Sequence, residues 1–316
     1  MKALDWLKQQ LSRLARKPGK SKWGTVIVAF GIFVFLGLSL RHDLDTIRAF
    51  HWRLHWGYLA IQAILHTLAL GTMFLAWHYT MRRLMNAGQW RTNFRIFSVS
   101  MLARRIPIPI WYVGSRVYLY REQQTSATIV LAATTLEITL IAVSGVLCYV
   151  MLLPWYSYTQ HWGWWILVAL TGVFTLILLL RPGLLIDLIN LALRLLKRPP
   201  IPTTINRRDL LLWGSLYLAT WLIDGLGLYY AVAAFMASPP TITSIIGVST
   251  VSALVALATM ALPSGFGLKE ITMGALLSVW MPVSAGVVIS ILYRLLQTIV
   301  ETLWAFVGQS ISEETP

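Results

Sequence analysis

Residues 101–122, MLARRIPIPIWYVGSRVYLYRE, place four arginines and two prolines in the middle of an apolar chain. Of the 316 residues, 57% are hydrophobic and only 12% are charged, and the mean hydropathy is +0.67. A soluble domain usually carries about twice that charged fraction. The composition therefore predicts an all-α polytopic membrane protein, in which a basic segment broken by prolines needs an explanation.

Six hydrophobic runs are close to the length of about 18–20 residues that a membrane-crossing helix needs. We therefore expect about six full spans, at 23–40, 57–79, 126–153, 162–180, 210–236 and 283–308. Residues 1–22 form a basic cytoplasmic segment and 309–316 a short acidic tail, which leaves 23–308 as a single transmembrane domain. The first run is long for the core of a signal peptide and has no small-residue cleavage site after it, which favours an uncleaved span.

Lysine and arginine outnumber aspartate and glutamate by 26 to 12, which gives a formal net charge of +14. In a membrane protein such an excess is typical of cytoplasmic loops beside anionic lipid, so we expect membrane lipids and not nucleic acid as partners. The basic N-terminal segment predicts a cytoplasmic N-terminus, and the order of the spans then predicts a cytoplasmic C-terminus. A single cysteine excludes an intrachain disulfide, and no metal site or cofactor is expected because the sequence contains no motif for one.

The same charge rule predicts that residues 92–122 enter and leave the membrane on the cytoplasmic side. A single crossing here would move the six cations of 181–208 to the outer face, against the positive-inside rule. Two short full spans would also satisfy the charges, but Pro107 and Pro109 leave too little continuous helix for them. We therefore expect a re-entrant helical hairpin.

A second broken segment follows at 245–280, within which residues 258–277 read ATMALPSGFGLKEITMGALL. Pro263, Gly265 and Gly267 separate two apolar stretches, neither of which is long enough for a comfortable crossing. The glycines permit a tight turn because they adopt backbone conformations that other residues avoid. This pattern predicts a second re-entrant hairpin, which enters from the outer face.

Both broken segments run from proline through glycine to a cation: PIPIWYVGSR in the first and PSGFGLKE in the second. The turn residues of the first hairpin would be Pro107, Pro109 and Gly114. Paired interruptions in the two halves of a transporter indicate an inverted repeat with a binding site between the halves. Two unrelated kinked helices are the alternative interpretation.

Broken backbone is tolerated at membrane depth only where it is buried in protein or lines a wet cavity. We therefore predict that the cations near the two turns surround a hydrated cavity that attracts anions. The predicted substrate-binding residues are Arg104, Arg105, Arg116, Lys269, Glu270 and Arg294. The alternative is that the arginines extend to the lipid headgroups, which is the favoured interpretation for Arg121.

Three acidic residues, Glu137, Asp224 and Glu301, lie inside predicted spans. A lone charge at the bilayer centre costs about 2.5–3.5 kcal/mol on insertion scales, so we expect these carboxylates to form an intramembrane charge network with the cations. Such pairs either pin the helix packing or open and re-form as a headgroup or a proton passes. His66 and His78 lie on one span without a partner at metal-ligand spacing, and we interpret them as packing residues.

Three motifs occur in order along the chain: SVSMLARRIPIPIWYVGSRVYL, continuing to LEITL around Glu137, then LPSGFGLKE, and finally YRLLQTIVE. Their order and spacing resemble the lysylphosphatidylglycerol synthase transmembrane-region family, also described as flippase-like or as uncharacterised membrane protein family 0104. The resemblance covers roughly residues 20–310, and the proline, glycines and glutamate of the second motif match in place. Pro109 follows an isoleucine where relatives often carry glycines, which implies a stiffer first turn.

The resemblance implies movement of an anionic or glycosylated lipid, such as a phospholipid or a lipid-linked sugar, between the leaflets of the plasma membrane. The headgroup would pass through a cationic cavity between the two hairpins. The aminoacyl-transferase domain of the two-part synthases is absent from the sequence, so we expect no enzymatic activity of the chain alone. A homodimer or a partner lipid-synthesising enzyme is expected. The alternatives are a membrane enzyme or accessory subunit in glycolipid or polyprenyl-phosphate-linked assembly, and a packing scaffold.

Overall fold

The computed structural model describes residues 44–311, except 51, 86–88, 106–109, 153–161, 196, 198 and 260–264. All regular secondary structure in this part of the chain is helical. The predicted span at 23–40, both chain ends and the turn prolines Pro107, Pro109 and Pro263 lie outside the described residues.

Eleven helices are described, and each is named here with its bounds. They are α1 (Leu44–Ala49), α2 (Trp56–Met85), α3 (Trp90–Ala103), α4 (Ile110–Arg121), α5 (Ala127–Leu152), α6 (Trp162–Leu180), α7 (Leu184–Leu195), α8 (Arg207–Ala233), α9 (Ile242–Ala258), α10 (Gly265–Leu277) and α11 (Val283–Ser310).

Four of these helices, α2, α5, α8 and α11, are long and apolar enough to cross a membrane. They contain 30, 26, 27 and 28 residues, so each is roughly 40 Å long, which exceeds a hydrocarbon core of about 30 Å. They coincide with the spans predicted at 57–79, 126–153, 210–236 and 283–308. The predicted span 162–180 forms α6, which meets α7 at a bend of 84°, so four spans become up to five if that bent pair is counted.

Side-chain caps fix where two of the helices begin. The backbone N–H of Asn206 donates to the Asp209 carboxylate at 2.9 Å, which completes a capping box at the start of α8. The Thr241 hydroxyl accepts a bond from the backbone N–H of Ser244 at the start of α9. Both caps satisfy N–H groups that have no partner within their helix.

Helices α2 and α8 pack against each other in opposite directions over most of their length. Contacts near the end, in the middle and near the start of α2 meet the start, the middle and the end of α8. They are Arg83–Asp209 at 3.1 Å, Thr72–Thr220 at 2.8 Å, and the rings of Tyr58 and Tyr230 at 5.7 Å. This antiparallel pair is the most extensive helix–helix interface in the described part of the chain.

Helices α3 and α4 form the first hairpin. The hydroxyl of Tyr120, near the end of α4, donates to Asn93 near the start of α3 at 2.7 Å. Arg116 Nε, farther from the end of α4, donates to Ser100 near the end of α3 at 3.0 Å. The two helices are therefore antiparallel, and the end of α3 lies beside the start of α4.

Helices α9 and α10 form the second hairpin. Ile245 near the start of α9 and Leu277 at the end of α10 share one buried apolar cluster. That cluster also contains Val248 of α9, Met273 of α10 and residues of α8 and α11, so the hairpin is held on both sides. The helices of the two hairpins contain 14 and 12 residues and 17 and 13 residues, so all four are much shorter than the spanning helices.

Helix α11 contacts both hairpins, one at each end. Near its start, Gly286 packs against Gly274 of α10, where a Cβ would lie 3.1 Å from backbone atoms of the other helix. Near its end, Gly308 packs against Ser98 of α3, where a Cβ would also lie 3.1 Å away. A side chain at either position would have to push its neighbour away, so glycine favours this close approach of the helices. The two hairpins therefore lie along α11 from opposite ends, with the end of α3 and the start of α10 directed towards its middle.

Candidate functional site

Five polar side chains from four parts of the fold meet where the two hairpins converge. We call them the central cluster: His66 on α2, Asp224 on α8, Gln297 and Glu301 on α11, and Arg105 just after α3. His66 Nδ1 lies 3.0 Å from Asp224 Oδ1, and Gln297 Nε2 donates to the same oxygen at 2.9 Å. His66 Nε2 lies 3.6 Å from Glu301 Oε1.

Arg105 closes the central cluster on the side of the first hairpin. Its Nε and Nη2 donate to the two carboxylate oxygens of Glu301 at 2.6 and 2.7 Å. This two-pronged geometry is the strongest that an arginine and a carboxylate can form. The Glu301 side chain is fully buried, so its charge depends on Arg105 for compensation.

The central cluster lies deep in the protein. His66, Asp224 and Glu301 are nine or ten residues from the nearer ends of α2, α8 and α11, which places each of them roughly 15 Å from an end at 1.5 Å per residue. In a hydrocarbon core about 30 Å thick, that depth is close to the middle. Charges there need partners or water, and intramembrane ionisable residues are candidates for a functional site.

The second hairpin reaches the same region through two neighbouring residues of α10. Glu270 forms an ion pair with Arg294 of α11. The Lys269 ammonium lies 5.8 Å from the centre of the Tyr293 ring, and the Tyr293 hydroxyl donates to the backbone oxygen of Asp224 at 3.0 Å. Lys269 also lies close enough to Asp224 and Arg105 to interact with them electrostatically. Both hairpins therefore contribute charge to one site.

A separate ion pair, Arg116–Glu137, connects the first hairpin to α5. Both side chains are fully buried. Arg116 Nη1 and Nη2 bond to the two oxygens of Glu137, and the Tyr112 hydroxyl donates to Glu137 Oε2 at 2.8 Å. The guanidinium carbon lies 3.7 Å from the centre of the Trp77 ring, which adds a cation–π contact.

Hydrogen bonds continue from this ion pair through the first hairpin. Trp77 Nε1 donates to the Tyr120 hydroxyl at 3.0 Å, and that hydroxyl donates to Asn93. Asn93 Nδ2 in turn lies 2.9 Å from His78 Nδ1. In the described part of the chain, no hydrogen bond or ion pair links Arg116 or Glu137 to the central cluster. These contacts position the first hairpin, and they satisfy most of the hydrogen-bonding groups of Arg116 and Glu137.

The structure therefore divides the predicted substrate-binding residues into three groups. Arg105 belongs to the central cluster, and Lys269, Glu270 and Arg294 lie beside it. Arg116 is buried in the separate pair with Glu137, so it does not face a hydrated cavity in this structure. Arg104 follows α3 directly and is exposed.

Among the predicted network residues, Asp224 and Glu301 meet at the central cluster, whereas Glu137 pairs with Arg116. Of the predicted turn residues, Gly114 lies inside α4 and not between the helices. Glycine inside a helix costs about 1 kcal/mol relative to alanine, and no atom lies within 4 Å of a Cβ built at Gly114. Gly265 begins α10, and Gly267 has φ 93°, a conformation that favours glycine.

Sequence reasoning assigned His66 to packing, but the structure places it between two carboxylates. The available signal was weak: Gln62 and His66 are four residues apart, so two polar side chains share one face of an apolar helix. Both are buried in the structure. Within the described ranges, no group of three His, Cys, Asp or Glu side chains is arranged to hold a metal ion.

The fold and the site define a multi-pass helical membrane protein with two hairpins of short helices around a buried charge cluster. The sequence model of the lysylphosphatidylglycerol synthase TM region matches residues 23–305. The chain belongs to this family, which confirms the resemblance of its motifs and relates it to lipid metabolism. Searches of curated proteins and of solved structures gave no match.

Proposed function

We propose that this protein is a lipid translocase, of the flippase or scramblase type, which moves an anionic or glycosylated lipid between leaflets. The headgroup passes the central cluster while the acyl chains stay in the bilayer. The observation that carries the proposal is the meeting of both hairpins at α11, where Arg105 pairs with Glu301 and Glu270 pairs with Arg294. Charged side chains from two interrupted segments at this depth are the arrangement found at the binding sites of transporters.

The lengths of the hairpin helices support a re-entrant position. At 1.5 Å per residue, helices of 14, 12, 17 and 13 residues extend roughly 18–26 Å, less than a hydrocarbon core of about 30 Å. The hairpins lie along α11 from opposite ends, so in a membrane that α11 spans they enter from opposite faces. This is the geometry of an inverted repeat.

Two cations support recognition of an anionic headgroup. In the described part of the chain, Arg104 and Lys269 have no carboxylate within ion-pair distance, whereas Arg105, Arg116 and Arg294 each have one. Arg104 is at the turn of the first hairpin, and Lys269 is in the first turns of α10. A phosphate between the hairpins would therefore find a cation on each side, together with the N-terminal end of α10.

The remaining features of the proposal come from the sequence. Both chain ends face the cytoplasm, the bilayer is the plasma membrane, and the substrate is a phospholipid or a lipid-linked sugar. The chain has no enzymatic activity or nucleic-acid partner, and it acts as a homodimer or beside a lipid-synthesising enzyme. Cysteines placed one at a time in each loop of a Cys148→Ser background, and labelled from one side of intact cells, test this topology.

Reconstitution tests translocation directly. Proteoliposomes containing tail-labelled phosphatidylglycerol are treated with a membrane-impermeant quencher, and loss of inner-leaflet label is followed. We expect loss with the wild-type protein and none in empty vesicles. Arg104→Gln and Lys269→Gln should each slow it by at least about tenfold, because a hydrogen bond to a charged group is worth about 1.5–3 kcal/mol. Arg121→Gln, at the far end of the first hairpin and also exposed, should retain the wild-type rate.

The family description favours one second candidate, because it names a lipid synthase. In that case the chain is a membrane enzyme or accessory subunit in glycolipid or polyprenyl-phosphate-linked assembly. The purified protein is incubated with a lipid-linked sugar and an acceptor lipid, and products are separated by chromatography. A new lipid product without any leaflet exchange would reverse the ranking of the two candidates.

A further inference from the structure

His66 is placed to carry a proton within the central cluster. Its Nδ1 lies 3.0 Å from the Asp224 carboxylate, which can only accept, so Nδ1 is the protonated nitrogen of the neutral ring. Gln297 donates to the same carboxylate and so does not need Nδ1 as an acceptor. Nε2 lies 3.6 Å from Glu301 Oε1, is buried, and has no hydrogen-bond partner in the described part of the chain. A proton added to Nε2 would point at a carboxylate.

The charge on the site depends on that proton. Asp224 and Glu301 contribute two negative charges, and Arg105 and Lys269 contribute two positive ones. Glu270 and Arg294 compensate each other. Protonation of His66 therefore adds one positive charge to the site. In a medium of low dielectric constant, a monoanionic phosphate is accepted far more readily by a site of net positive charge.

We propose that His66 takes up one proton for each anionic headgroup that enters the central cluster, so that lipid and proton cross the membrane together. This inference rests on the proposed translocase function and names its coupling ion. The proton is taken from water by the Nε2 lone pair on one side and returned to water on the other. No other bond is made or broken, and the loaded and empty sites have the same net charge because one anion enters with one proton.

His66 is the proton carrier of the site, because the groups that face it from the neighbouring helices keep their charges. Helix α8 presents Asp224, and α11 presents Gln297 and Glu301. Arg105 reaches the site from the first hairpin, bonded to Glu301. Asp224 and Glu301 each have a donor besides His66, namely Gln297 and Arg105, so both remain ionised acceptors.

A pH gradient across proteoliposomes tests the coupling. Because one lipid crosses with one proton, the equilibrium ratio of lipid in the alkaline-side leaflet to lipid in the acidic-side leaflet equals the proton ratio of the acidic side to the alkaline side. A gradient of about one pH unit should therefore enrich labelled phosphatidylglycerol about tenfold in the leaflet on the alkaline side. His66→Gln should move the lipid between leaflets more slowly than the wild-type protein and give no enrichment. His78→Gln, a buried histidine on the same helix that contacts Asn93 instead, should retain the enrichment.

The outcomes separate this inference from the proposed function. Leaflet exchange by the wild-type protein without enrichment overturns proton coupling and leaves the translocase in place. Absence of any exchange overturns the translocase, and a second measurement then decides the proton site. Short-chain phosphatidylglycerol is added to detergent-solubilised protein in weakly buffered solution, and a pH dye reports proton uptake. We expect about one proton per protein for wild type and none for His66→Gln. No uptake by the wild-type protein would refute the inference.

Discussion

The buried pair Arg116–Glu137 gives the sharpest prediction about stability, because both side chains are fully buried. Replacing Arg116 by methionine leaves Glu137 with the Tyr112 hydroxyl as its remaining donor. Removing one partner of a buried ion pair costs about 3–5 kcal/mol, since the other charge is left uncompensated. The substitution also removes the cation–π contact between the guanidinium and the Trp77 ring. The ion pair and this contact involve the same guanidinium, so their energies do not add. We therefore expect a destabilisation of about 3–5 kcal/mol.

A double-mutant cycle isolates the contribution of the pair. Arg116→Met and Glu137→Met are compared singly and together by unfolding in mixed micelles, with tryptophan fluorescence as the signal. The double variant should recover much of the loss, with a coupling energy of about 2–3 kcal/mol, because two apolar side chains can replace a buried pair at little cost. Arg121→Met, on the exposed end of the same helix, should change stability by less than about 0.5 kcal/mol.

The same variants decide whether Arg116 holds the hairpin or binds the headgroup. If the pair only positions the first hairpin, the double variant should translocate lipid faster than either single variant, because it restores the packing. If the single variants are as stable to unfolding as the wild-type protein, the stability argument is refuted. A double variant that is as stable as wild type but inactive would place Arg116 in the path of the headgroup, as the sequence alone suggested.

Two further predictions concern packing between helices. Gly274→Ala should lower the free energy of unfolding by about 1–3 kcal/mol, because its Cβ would lie 3.0 Å from the backbone nitrogen of Val287. Gly214→Ala, with no atom within 4 Å of its Cβ, should be neutral or stabilising in the same unfolding assay. Tyr120→Phe should lower the free energy of unfolding by about 1–3 kcal/mol, because the Tyr120 hydroxyl both accepts and donates a buried hydrogen bond. Tyr79→Phe, at an exposed position, should change the unfolding midpoint little. Equal effects within either matched pair would contradict the packing described here.

The sequence determined the membrane class, four of the spans and the positions of both interrupted segments. Each depends on properties that are local to the chain, namely the length of an apolar run and the presence of proline or glycine within it. The helix bounds 90–103 and 110–121 fall on either side of the predicted turn at Pro107 and Pro109. The family motifs are local as well, which is why they predicted the family that the match over 23–305 shows.

Only the tertiary structure decided which cation pairs with which carboxylate. Arg105 and Glu301 are 196 residues apart, and His66 and Asp224 are 158 residues apart. A local pattern showed that the cations and carboxylates could pair, but their partners depend on how two hairpins dock along one helix. Close contacts at glycines of α10 and α11 occur where the hairpins dock, and Arg116 is paired with Glu137 away from the charged site around His66. The physical reason is that burial makes an unpaired charge costly, while the choice of partner is fixed by three-dimensional packing.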